Sequence, residues 1–157
     1  MIIKLLKKIP LLLFFVLTIN CGYQPLLTER FQKFSLEDIE FSDNRKLGQS
    51  LANEFAQFEN TKNILSMKLR SDQKRSISNK DKSGSVTEYN IKINFDVEVL
   101  DQDKKLILKS SFSENSNYKA SNLHIDTLNR EKIIINNLIK LVAEQITNQL
   151  NLIYKTK

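Results

Sequence analysis

Few side chains in this 157-residue sequence are of a kind that does chemistry, and they do not gather into a motif. His124 is the only histidine and falls in a polar stretch, where a solvated loop residue is the plain reading. Asp101 and Asp103 with Lys104 read as a turn, because the Gly and the distant Glu of a calcium loop are missing. There is no Gly-rich phosphate loop and no paired metal-ligand motif. No catalytic residue, metal site or cofactor is therefore expected, and the chain reads as a binding or assembly protein and not an enzyme. The cations Arg70, Lys74, Arg75, Lys80 and Lys82 cluster along the end of one strand and the loop after it. In an extended strand Arg70 and Lys74 share the parity of Lys68 and lie on one face, while Arg75 points the other way.

Cys21, the only cysteine, excludes an intrachain disulfide. It follows an apolar run at residues 9–19 that is headed by Lys4, Lys7 and Lys8. As a helix that run would reach roughly 16 Å of a ~30 Å hydrocarbon core. Extending it back to Ile2 would bury three lysines, at about 2.5–3.5 kcal/mol each near a membrane centre. A cleaved signal is favoured over a permanent span, and a positive head, a short apolar body and a lone cysteine describe a bacterial lipoprotein precursor. Thr18 and Asn20 stand where the lipobox usually has Leu and a small residue. An ordinary signal peptide cleaved elsewhere competes, but no Ala-x-Ala-like site lies nearby; a buried or free thiol is the remaining alternative. The expected organisation is a signal peptide over 1–20, a lipidated N-terminus and tether over 21–33 and one domain over 34–157.

Removing residues 1–20 takes away three lysines and no acid, so the net charge falls from +6 to +3 over 137 residues. That is a mildly basic single domain large enough for one core. The high Lys, Asn and Ile content reads as a composition bias, and no nucleic-acid partner is expected. No run after Cys21 is long and apolar enough for a second membrane segment.

The elements follow from periodicity. Leu36, Ile39 and Phe41 mark a short first strand without strict alternation. Ser42, Asp43 and Asn44 supply capping residues for a helix whose apolar face is Leu47, Leu51, Phe55 and Phe58. Leu65, Met67 and Leu69 alternate with polar residues in a strand that continues towards Ile77, and residues 79–85 read as a loop or hairpin tip. Tyr89, Ile91, Ile93, Phe95, Val97 and Val99 share one face of the clearest strand. A polar turn at 101–104 returns the chain antiparallel over 106–118. Asp126 or Thr127 then caps a helix of about 25 residues, with a stripe through Ile135, Leu138, Ile139, Val142, Ile146, Leu150 and Ile153. The expected fold is α+β, a two-layer sandwich in the order β-α-β-β-β-α, with a mostly antiparallel four-stranded sheet carrying both helices on one face. Its other face, rich in Lys, Asn, Asp and Glu, meets water or a polar-walled partner.

Four features together resemble the lipopolysaccharide-assembly lipoprotein family, LptE, over essentially the whole chain. They are Cys21-Gly22-Tyr23-Gln24-Pro25-Leu26, the helix opening Asn44-Arg45-Lys46-Leu47-Gly48-Gln49-Ser50-Leu51-Ala52-Asn53, the Glu88-Tyr89 strand entry and the long terminal helix. The motifs are short, and their order and spacing carry the match. The resemblance implies an outer-membrane lipoprotein, anchored by acyl chains on Cys21, that plugs an LptD-type β-barrel, helps it assemble and binds lipopolysaccharide. With lipopolysaccharide as the implied ligand, Arg70, Lys74, Arg75, Lys80 and Lys82 have two readings: they present their charges to lipid A phosphates, or they are a solvated strand end and loop in a lysine-rich sequence. Gly22, where inner-membrane retention wants Asp, accords with the outer membrane. The competing expectation is a periplasm-facing lipoprotein that carries a lipid without a barrel.

Overall fold

Strict alternation of apolar and polar side chains gives a strand one dry and one wet face, and here it lays down a sheet with a single core side. The computed structural model describes residues 34–55 and 63–155. The expected signal peptide, the tether with Cys21, and Phe58 lie outside the described residues. The elements are β1 (Ser35–Asp43), α1 (Arg45–Phe55), β2 (Ile64–Lys80), β3 (Val86–Leu100), β4 (Leu106–Lys119) and α2 (His124–Lys155). The sheet order is β1-β2-β3-β4; β1 runs parallel to β2, and the other neighbours are antiparallel. The α+β class and the β-α-β-β-β-α order are as the periodicity predicts.

Leu65, Met67 and Leu69 of β2 and Ile91, Ile93, Phe95, Val97 and Val99 of β3 are buried together with Leu47, Leu51 and Phe55 of α1 and Leu138, Ile139, Val142, Ile146 and Leu150 of α2. This is one core, closed on one side of the sheet by both helices. Gly48 marks the close approach of α1, because a Cβ there would stand 2.8 Å from the Phe41 ring. Ser71 pins the helix start: its Oγ donates to the Asn44 carbonyl at 2.7 Å, and its own carbonyl accepts from the Asn44 N–H at 3.1 Å. Asn44 caps α1 by accepting from the Leu47 N–H at 3.1 Å.

The structure moves two expected boundaries, the end of β2 and the start of the last helix. β2 runs on to Lys80, so the loop shrinks to a tip in which Asp81 Oδ1 accepts from the N–H groups of Ser83 and Ser85, both at 2.9 Å, and Gly84 takes a φ of 85°. The 101–105 turn repeats this design: Asp101 Oδ1 accepts from the Lys105 N–H at 2.9 Å, and Lys104 holds a φ of 59°. Asp101 is thus a turn residue. The helix α2 has 32 residues and begins at His124, two residues ahead of the expected caps. Ser121 Oγ takes the Leu123 N–H at 3.4 Å, and Thr127 Oγ1 takes the Ser121 N–H at 2.9 Å. His124 therefore opens a helix and does not sit in a loop.

Candidate binding surface

The sheet's open face is built in rows, because directly paired residues on neighbouring strands point the same way. One row runs Glu40, Lys68, Glu98, Lys109 across all four strands with strictly alternating charge. Lys68 Nζ lies 3.3 Å from Glu40, and Lys109 Nζ 2.6 Å from Glu98. The hydrogen bond from Lys109 holds the Glu98 carboxyl below its ordinary range and raises the lysine in return. The next row is Ser42, Arg70, Asp96, Ser111. Arg70 Nε donates to Asp43 Oδ2 at 2.6 Å, which pushes the guanidinium further up, and Ser111 Oγ donates to Asp96 at 2.6 Å. The two rows line a shallow depression. Pairs this exposed are screened by solvent and add little to stability, so the ladder fixes charge position more than it stabilises the fold.

The five cations expected from sequence are not one cluster. Arg70 and Lys74 share the open face, as their parity predicts, but Arg70 is already paired with Asp43. Lys80 ends β2 and Lys82 sits in the hairpin tip. Arg75 lies on the helix side. Its guanidinium stands 3.8 Å above the Tyr89 ring centroid and 3.3 Å from Glu131 of α2. Tyr89 and Tyr118 stack at 5.6 Å, and the Tyr118 hydroxyl donates to Glu131 at 2.6 Å. Burial first, and that hydrogen bond second, push the Tyr118 hydroxyl well above its ordinary value. The cation is thus an end-stop of the core that ties the β2–β3 hairpin to α2.

Glu131 is only 14% exposed, so its removal should be felt. Glu131→Ala leaves a guanidinium without its acid and a tyrosine hydroxyl without its acceptor, and should cost about 1–3 kcal/mol. Urea melts check this, and an unchanged midpoint would show that the cluster contributes nothing. The sign of the pH effect also follows. A tyrosine whose acidity is weakened by folding contributes stability that is fully present below its unfolded pKa and is lost as the pH rises towards the folded one. Stability should therefore fall above about pH 10 in the wild type, and by less in Tyr118→Phe.

Sequence reasoning put Lys92 on the polar face but did not place it in the site. Its partner across the β2–β3 pair is Lys74. Among the described residues no group of His, Cys, Asp and Glu side chains could hold a metal ion, and no helix is long and apolar enough to cross a membrane.

Several solved lipoproteins share this fold. Rare lipoprotein B from Shewanella oneidensis aligns with a TM-score of 0.56 at 13% identity, covering 74% of this chain and 94% of that one. A putative lipoprotein from Caulobacter crescentus aligns at 0.58 and 11% identity, covering 82% and 95%. A minor lipoprotein from Acinetobacter baumannii gives 0.52 and 14%, covering 75% and 94%. At these identities the likeness is one of fold. No curated protein matches the chain. The family model described as LptE, lipopolysaccharide-assembly, matches residues 31–150, which hold the sheet, its charge ladder and nearly all of α2. The chain belongs to the LptE lipopolysaccharide-assembly family.

Proposed function

We propose that this LptE-family chain is an outer-membrane lipoprotein, held by acyl chains on Cys21, that fills the lumen of an LptD-type barrel, assists the barrel's assembly and binds lipopolysaccharide. It acts by binding and performs no chemical step. The observation that carries the reading is the open sheet face: broad, polar, and with alternating charges paired across the Glu40, Lys68, Glu98, Lys109 row. The interior wall of a large outer-membrane barrel is polar as well. The end of the face whose cations are already paired, Lys68 and Lys109 in one row and Arg70 in the next, can be enclosed by such a wall without stranding a charge. Of the cations expected to meet lipid phosphates, Lys74, Lys80 and Lys82 remain without an acidic partner within salt-bridge distance among the described residues.

The test is co-purification of the full chain from detergent-solubilised outer membrane. A large β-barrel protein should come with it in stoichiometric amount. Reversing the alternation with Lys68→Glu and Lys109→Glu puts like charges side by side and should strip the barrel away. Recovery of the wild-type chain alone or with lipid only would replace the plug with a stand-alone lipid carrier.

A further inference from the structure

Two rows beyond the Arg70 row, the open face abandons its charge pairing. Lys74 of β2 stands directly opposite Lys92 of β3, and Asn115 of β4 stands opposite Lys92 on the other side. Directly opposed side chains have Cβ atoms about 4.5–5.5 Å apart, where like charges repel. Neither lysine is within salt-bridge distance of an acid among the described residues. The row towards the paired end is Asp72, Asn94, Ser113, and its Asp72 accepts from Asn94 Nδ2 at 3.5 Å. The row on the far side, Ser76, Asn90, Asn117, is neutral.

The amides next to the lysines are also oriented. Asn90 Nδ2 donates to Asn117 Oδ1 at 2.7 Å and to Asn115 Oδ1 at 3.5 Å. Those contacts engage the oxygens and leave the Nδ2 groups of Asn115 and Asn117 free to donate. The Lys74, Lys92, Asn115 row therefore offers solvent two ammonium groups and one amide N–H₂. The fold does not ask for this, because an acid at either lysine position would continue the alternation seen along the Glu40 row. A row of donors held on a rigid sheet suits the oxygens of a phosphate.

We infer that the Lys74, Lys92, Asn115 row is a subsite for the phosphorylated sugar headgroup of an anionic glycolipid, with neighbouring sugar hydroxyls over the Ser76, Asn90, Asn117 row; this rests on the lipopolysaccharide-binding reading above. The acyl chains lie elsewhere, since none of the large exposed apolar side chains falls in these two rows.

Binding of purified lipopolysaccharide to the full-length chain in detergent is the measurement. Lys74→Gln with Lys92→Gln should weaken it at least tenfold, while Lys105→Gln with Lys140→Gln, which removes the same charge elsewhere, should change it less than twofold. Lys92→Glu should abolish binding and raise the melting temperature, because it replaces a repulsion with a pair; a merely structural lysine would lower it. Fully deacylated headgroup should compete with lipopolysaccharide for the wild type at concentrations where inorganic phosphate does not. Equal weakening by both double variants would overturn the subsite and leave the lipopolysaccharide reading standing. Equal competition by inorganic phosphate would reduce it to a plain phosphate site and overturn the headgroup assignment. A wild-type chain that binds no lipopolysaccharide would overturn the reading on which the inference rests.

Discussion

Phe95→Ala is expected to lower the stability of the domain by about 3–5 kcal/mol, against a typical total of about 5–15 kcal/mol. The side chain is fully buried in the middle of β3, and it pairs with Phe112 of β4 on one side and with Ser71 of β2 on the other. Its loss removes the transfer energy of a ring and leaves a cavity that the sheet cannot close, because β3 is held between two strands over most of its length. Asp96, one residue further on, faces the open side and accepts one hydrogen bond from Ser111. Asp96→Ala should cost about 0.5 kcal/mol or less. Urea melts of the two variants give the comparison directly. Similar midpoint losses would mean that β3 is buried on both faces and that the open face is not open.

That contrast was legible in the sequence because β3 is built from uninterrupted alternation, and a period of two assigns every side chain to a face without any tertiary information. Other parts were harder to read for identifiable reasons. The register of β1 shifts between Leu36 and Asp38, which breaks its alternation. Residues 76–80 of β2 carry almost no apolar signal, since that end of the hairpin reaches beyond most of the core and is held by backbone pairing with β3. The start of α2 is set by Ser121 and Thr127 hydroxyls bonding around a turn, a pattern that spacing alone does not reveal.

The same distinction governs the candidate site. Parity placed Arg70 and Lys74 on one face and Arg75 on the other, but it is silent on partners, and partners decide what each cation can do. Asp43 neutralises Arg70 from the neighbouring strand, and Glu131 holds Arg75 from a helix far along the chain. Lys92 could have been found by counting outward from a closing pair Asp81/Ser85. The two irregularities, at Ile77/Asn79 and Asn79/Lys80, cancel, and the count reaches Lys74 opposite Lys92. That count needs the tip to be centred on Ser83, and the expected loop over 79–85 left the centre open.

Cys21→Ser should remove a metabolic fatty-acid label from the chain completely. The effect on location is equally large in principle, because each buried CH₂ of an acyl chain contributes about 0.8 kcal/mol and two chains already anchor a protein stably. The described domain offers no substitute, since none of its helices is long and apolar enough to cross a bilayer. If the domain also sits inside a barrel, that partner holds it at the membrane even without lipid, so location must be read with the barrel depleted. In that background the wild-type chain should stay with the membrane fraction and Cys21→Ser should appear in the soluble fraction. With the barrel present, both should sediment, and only the label should differ. A label that survives the substitution would end the lipoprotein assignment. A Cys21→Ser chain that is soluble even with the barrel present would instead remove the plug and leave the anchor as the sole attachment.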